Sequence, residues 1–157
     1  MNYIRKALEK DIPRILELLV QVNMVHHEGR PDIFKGPSTK YTQQELKEII
    51  KNDKTPVFVC VDEKDVVLAH AFCVHKQVTS SNILTDIKTL YIDDLCVDEM
   101  FRGMGIGSLL MDTIEEYAKT SGFYNVTLNV YTCNKYALKF YASKGFTTRK
   151  VEMEKVL

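Results

Sequence analysis

Leu95-Cys96-Val97-Asp98-Glu99-Met100-Phe101-Arg102-Gly103-Met104-Gly105-Ile106-Gly107-Ser108 joins an apolar run to a helix-periodic one through three glycines spaced two apart. Strand, glycine turn and helix in that order suit a diphosphate. Backbone amides at a helix N-terminus converge on one point, and the helix dipole adds positive potential there. Glycines let phosphate oxygens approach without a Cβ in the way, and Arg102 adds a fixed charge. Two common nucleotide loops do not fit. A P-loop needs Gly-Lys-Ser/Thr, whereas the chain reads Gly107-Ser108-Leu109. A dinucleotide fingerprint counted from Gly103 needs its third glycine at 108, which is Ser108. A glycine turn that binds nothing is the plain alternative.

Outward from this turn, Lys88 to Val97 reads as a strand. Ile106, Leu109, Leu110, Ile114, Tyr117 and Ala118 share a helical face over 106–120, ended by Gly122. Asn125 to Tyr131 reads as a strand, Asn134 to Ser143 as a helix stopped near Gly145, and 147–156 as a last strand. Upstream, residues 2–7 form a first strand, and Asp11 is placed to cap a helix opening Ile12-Pro13. Ile12, Ile15, Leu16, Leu19, Val22 and Val25 keep helical spacing, and residues 28–41 read as a long loop. Thr42-Gln43-Gln44-Glu45 is a capping box for a second helix, to about Asn52. Val57–Val61 and Val66–Val74 are β-rich runs joined by the turn Asp62–Asp65, and 79–86 is a loop. Hairpins in the first half and a strand–helix–strand unit over 88–131 predict an α/β (α+β) fold. One central mixed sheet with both antiparallel and parallel pairs is expected.

Composition narrows the class. The 157 residues carry 45% hydrophobic and 27% charged residues, which predicts one packed domain over 1–157. With 21 basic and 21 acidic side chains the formal charge is zero, so no electrostatic footprint for nucleic acid or an anionic membrane is expected. No stretch approaches the roughly 18 apolar residues of a membrane span, and Met1-Asn2-Tyr3-Ile4-Arg5-Lys6 has no apolar leader core. A cytoplasmic protein is the expectation. Cys60, Cys73, Cys96 and Cys133 form no C-x-x-C pair and read as buried free thiols, and the histidines lack zinc-ligand spacing, so no metal is expected.

The motif resembles that of the GNAT superfamily of N-acetyltransferases, Arg/Gln-x-x-Gly-x-Gly/Ala between a strand and a helix. Arg102, Gly105 and Gly107 match it, after the aromatic Phe101. Leu128-Asn129-Val130 followed by Asn134, Ala137, Phe140-Tyr141 and Gly145-Phe146 is similar to the family's second motif. The match is strong over about 88–147; upstream only the element order is similar. The resemblance implies a mixed, mostly antiparallel central sheet of about six or seven strands flanked by about four helices, and acetyl-CoA as cosubstrate. The backbone of Leu95, Cys96 and Val97 would pair with the pantetheine arm. The amides of Arg102, Gly103, Met104, Gly105, Ile106, Gly107 and Ser108 would hold the pyrophosphate. Asn134 would bond the arm and Tyr141 would face the thioester sulfur. The resemblance also makes a homodimer through the last strand an expectation, one that the residues themselves do not show.

The implied reaction is direct transfer of acetyl to an amine. A strand amide near Val97 stabilises the oxyanion, and the Tyr141 hydroxyl protonates the leaving thiolate. Read without the resemblance, Tyr141 is a buried aromatic and Asn134 a helix N-cap. Tyr91-Ile92-Asp93-Asp94-Leu95 places two carboxylates on one strand, where alternation sends them to opposite faces. Similar family members present the position of Asp93 to the acceptor, so Asp93 is favoured for the amine's proton and Asp94 ranks second. Either aspartate could instead be salt-bridged or solvated. Asp93, Asp94, Glu28 and Asp32 suit a cationic acceptor such as a polyamine, an aminoglycoside or a protein amine. His26 and His27 read as cations closing a helix. A non-catalytic acyl-CoA-binding regulatory module is the alternative function; it predicts coenzyme binding with no amine turned over.

Overall fold

Elements follow in the order β1 (Tyr3–Lys6), α1 (Ile12–Gly29), α2 (Gln43–Lys51), β2 (Val57–Val61), β3 (Val67–Gln77), β4 (Lys88–Val97), α3 (Ile106–Thr120), β5 (Asn125–Leu128) and α4 (Lys135–Ser143). Short 3₁₀ turns sit at Glu9–Asp11 and Glu99–Phe101. This computed structural model describes all of residues 1–157. The sheet order is β1-β2-β3-β4-β5. The first three pairings are antiparallel and β4–β5 is parallel, as the strand–helix–strand unit requires.

Two apolar layers sandwich the sheet. On one face Ile12, Ile15, Leu18 and Leu19 of α1 and Leu46 of α2 pack on Val57, Val59, Val61, Phe72 and Cys96. On the other, Ile106, Leu110, Met111, Ile114 and Ala118 of α3 cover Phe58, Leu68, Leu90 and Ile92, with Phe140 and Tyr141 of α4 at the margin. Of the expected stripes, α1 buries Ile12, Ile15 and Leu19 and adds Leu18, while α3 buries Ile106, Leu110, Ile114 and Ala118 but leaves Leu109 exposed. No helix is long and apolar enough to cross a membrane.

Several expectations change. The sheet has five strands, not six or seven. Residues 147–157 join no ladder and are exposed throughout, Val151 at 74% and Met153 at 88%. Their alternation is strand-like, but no neighbouring strand accepts it; Arg30 ion-pairs with Glu154. β5 stops at Leu128 rather than Tyr131. Asp11 makes no side-chain cap to α1. Its buried carboxylate accepts from Arg5 at 2.7 and 3.0 Å and from the Leu8 amide at 2.7 Å. The Thr42 cap forms as read, Oγ1 accepting from the Glu45 amide at 3.2 Å. Cys133 is exposed, unlike the other three thiols.

Candidate active site

The site begins where β4 loses a neighbour. Its ladder with β5 runs only from Thr89↔Asn125 to Ile92↔Leu128. Beyond Ile92 one edge of β4 is open. The Asp98 amide donates to Leu68 O on β3 at 2.9 Å, which sets the parity of the strand. Asp94, Cys96 and Asp98 turn their backbone groups to β3; Leu95 and Val97 turn theirs to the open edge. The Val97 carbonyl there accepts from Arg102 Nε at 3.2 Å. The expected trio therefore divides. Leu95 and Val97 offer backbone groups to an extended ligand. Cys96 instead pairs with His70 across the ladder and buries its thiol against Leu18 O, 3.4 Å away. Burial pushes the Cys96 thiol up to about 12, so it is no thiolate nucleophile at neutral pH.

The glycine turn follows directly. Asp98 caps the 3₁₀ turn, accepting from the Met100 amide at 3.0 Å, and is itself held by Arg14. Gly103 and Gly105 have φ of +79° and +81°, the left-handed region that a Cβ disfavours. Gly105 then leads into α3, whose first intrahelical donor is the Leu109 amide to Gly105 O. The amides of Ile106, Gly107 and Ser108 are thus left for a ligand. At Gly107 a Cβ would meet the Phe140 ring at 3.2 Å, so glycine is what lets α4 close on α3.

These edges bound one cleft of about 490 Å³. It brings together Leu95–Val97 from β4, Arg102, Gly103 and Gly105–Ser108 from the turn and α3, and Asn134 and Tyr141 from α4. Met104 lies outside it and is 68% exposed. Val22 and Val25 of α1 also line the cleft. Their helical spacing had assigned them to an apolar face without saying that the face ends in a pocket. Asn134 Oδ1 accepts from the Ala137 amide at 3.2 Å, a helix cap that leaves its amide group free to donate. The Tyr141 hydroxyl is held well above the usual phenol range, first by burial and then by the charge of Asp94.

Asp93 and Asp94 do not alternate. The β3–β4 register shifts between Phe72↔Asp94 and Cys73↔Ile92, leaving Asp93 as the extra residue of a β-bulge. Both carboxylates consequently lie on the α1/α2 face. Asp93 is bonded by the Tyr41 hydroxyl and ion-paired with Lys40 at 3.1 Å. Asp94 is 2.6 Å from His70 Nε2, and its charge acts on both Tyr141 and His26. His26 stacks on Phe34 at 4.8 Å, with the Tyr131 ring edge-on to Phe34 at 5.1 Å. Burial lowers the His26 pKa, which disfavours the helix-closing cation expected there. His70 was missed by sequence reading. Its only signal is one polar side chain within the β-rich run Val66–Val74.

Comparison with known proteins gives the family and the fold. The family model described as the Acetyltransferase (GNAT) family matches residues 4–146. An uncharacterised N-acetyltransferase of Methanocaldococcus jannaschii is 31% identical over 152 residues, 94% of this chain and 62% of that protein. N-alpha-acetyltransferase 60 of Danio rerio is 35% identical over 79 residues, 46% of this chain and 33% of that protein. The chain thus spans less than two thirds of either relative. The crystal structure of a point mutant of the Bacillus halodurans protein BH1408 superposes with a TM-score of 0.95 at 34% identity, covering 99% of both chains. The chain belongs to the GNAT family of acetyltransferases.

Proposed function

We propose that the chain is a single-domain enzyme, spanning 1–157, that transfers the acetyl group of acetyl-CoA directly to a primary amine. The observation that carries this reading is one cleft with a free β4 edge, free α3 amides and the Tyr141 hydroxyl. An extended pantetheine arm fits the Leu95 and Val97 edge as an added strand, and its pyrophosphate fits the amides after Gly105.

The neutral amine attacks the thioester carbonyl. The oxygen takes the negative charge and is stabilised by an amide of the β4 edge. The C–N bond forms and the C–S bond breaks. Asp94 accepts the proton lost by the amine, and Tyr141 gives its proton to the leaving thiolate. Asp94 replaces Asp93 in the base role for a geometric reason. Asp93 is engaged by Lys40 and Tyr41 and ties down the loop after α1, whereas Asp94 keeps one carboxylate oxygen without a donor from the chain; neither residue is among those that line the cleft. The two carboxylates together suit an acceptor that arrives as a cation.

Thiol release from acetyl-CoA tests this with spermidine, glucosamine 6-phosphate, an aminoglycoside and a peptide α-amine as probes. Asp94→Asn is expected to lower kcat about a hundredfold. Asp93→Asn is expected to act mainly on KM for the acceptor. The reverse pattern returns the base role to Asp93.

A further inference from the structure

We propose that His70 is a positioning residue: a neutral imidazole, protonated on Nε2, that holds one oxygen of Asp94 and leaves the other turned to the acceptor. The inference rests on the reading of Asp94 as the amine's base.

His70 is fully buried and Asp94 is 9% exposed. They meet on neighbouring strands, where His70 faces Cys96 and Phe72 faces Asp94. The contact is His70 Nε2 to Asp94 Oδ2 at 2.6 Å. The Phe72 ring stands edge-on to the imidazole at 5.0 Å. The other ring nitrogen, Nδ1, is buried and no protein atom bonds it. Asp94 Oδ1 also takes no donor from the chain, yet it is not sealed from solvent.

The orphaned Nδ1 decides where the proton sits. An imidazolium beside a carboxylate would bury an N–H with no acceptor. So would the Nδ1–H tautomer beside a protonated aspartate. Either costs the desolvation of a polar hydrogen that water would otherwise bond. With the proton on Nε2, the ring donates to Oδ2 and leaves only a lone pair unmet, the cheapest of the three arrangements. Oδ2 is then occupied, and Oδ1 is the oxygen free to receive the amine's proton.

The same geometry fixes where that proton goes next. Nε2 already carries a hydrogen and Nδ1 is out of reach, so His70 cannot take the proton onward. The relay ends at Asp94, and the proton leaves from its Oδ1, which is not sealed from solvent. A buried pair of this kind is weak evidence for stability, since apolar residues of like volume often pack as well. What it secures here is the orientation of a carboxylate.

Long-range ¹⁵N–¹H imidazole spectra of the wild-type protein at neutral pH read the tautomer without any acceptor. The expected signature is a neutral His70 with its hydrogen on Nε2; an imidazolium or an Nδ1–H tautomer overturns the inference. Kinetics supply the second readout, using the same probe amines. His70→Leu keeps volume but no donor, and should lower kcat about tenfold or more while KM for acetyl-CoA stays unchanged. His70→Gln places an amide N–H near the Nε2 position and should restore most of the loss. Equal loss in both folded variants, or no loss in His70→Leu, overturns the inference. Wild-type turnover in Asp94→Asn would instead sink the base reading and leave the tautomer result standing. Where no probe amine turns over, or His70→Leu does not fold, the wild-type spectrum decides alone.

Discussion

Tyr141 owes its acid form to its surroundings. Burial and the Asp94 charge both penalise the phenolate, so the hydroxyl keeps its proton across the neutral range and is present as a donor when the thiolate leaves. Tyr141→Phe should therefore lower kcat about a hundredfold with little change in KM for acetyl-CoA, measured by amine-dependent thiol release; undiminished turnover would remove the acid role. This role is not legible in residue spacing, which shows only an aromatic on a helix. It was reached through the likeness of Asn134 and Phe140-Tyr141 to a second motif. Asn134 shows why plain and functional readings need not compete, since its oxygen caps α4 while its amide stays free. His70 marks the limit at this scale. A single histidine in an apolar strand looks the same whether it is inert or paired, and only the fold brings Asp94, 24 positions away in sequence, to its ring.

Elements were legible where periodicity is strong and illegible where pairing decides. The spans of β2, β4 and α3 follow from β-rich apolar runs and helical spacing. The bulge at Asp93 does not, because one extra residue in a ladder leaves no mark on composition; it carries both carboxylates to one face and undoes the alternation argument. The early end of β5 is equally silent in sequence, although that end is what opens the β4 edge. Segment 147–156 failed in the other direction, since an alternating pattern cannot supply the neighbour that makes a strand. The start of α3 gives the prediction that belongs here. Gly105→Ala forces a Cβ into the left-handed region at a cost of roughly 1–2 kcal/mol, a strain relieved only by distorting the turn that presents the free amides. Calorimetry should show coenzyme A binding weakened at least about tenfold, with only a modest fall in Tm. Unchanged affinity would move the pyrophosphate elsewhere.

Across the whole molecule, burial of acidic hydrogens sets an alkaline limit. Cys73 and Cys96 are both pushed up to about 12 from an ordinary thiol value of 9.0, chiefly by burial. Below about pH 9 the folded and unfolded chains both hold these protons. Above it the unfolded chain releases them and the folded chain does not, so unfolding gains and stability falls toward pH 12 by about 1.4 kcal/mol per thiol per pH unit. Thermal melts should be level from about pH 7 to 8 and decline steadily above pH 9; a level Tm to pH 11 would contradict the burial of these thiols. The same two-layer packing that buries the thiols also flanks β4 on both faces, and chemistry at its open edge is what the molecule is proposed to perform. Mass-spectrometric counting of products from acetyl-CoA and the amine panel tests it most directly. One N-acetylated amine for each thiol released is the expected result. Tight coenzyme A binding with no acetylated amine across the panel would contradict it and leave a binding module in its place.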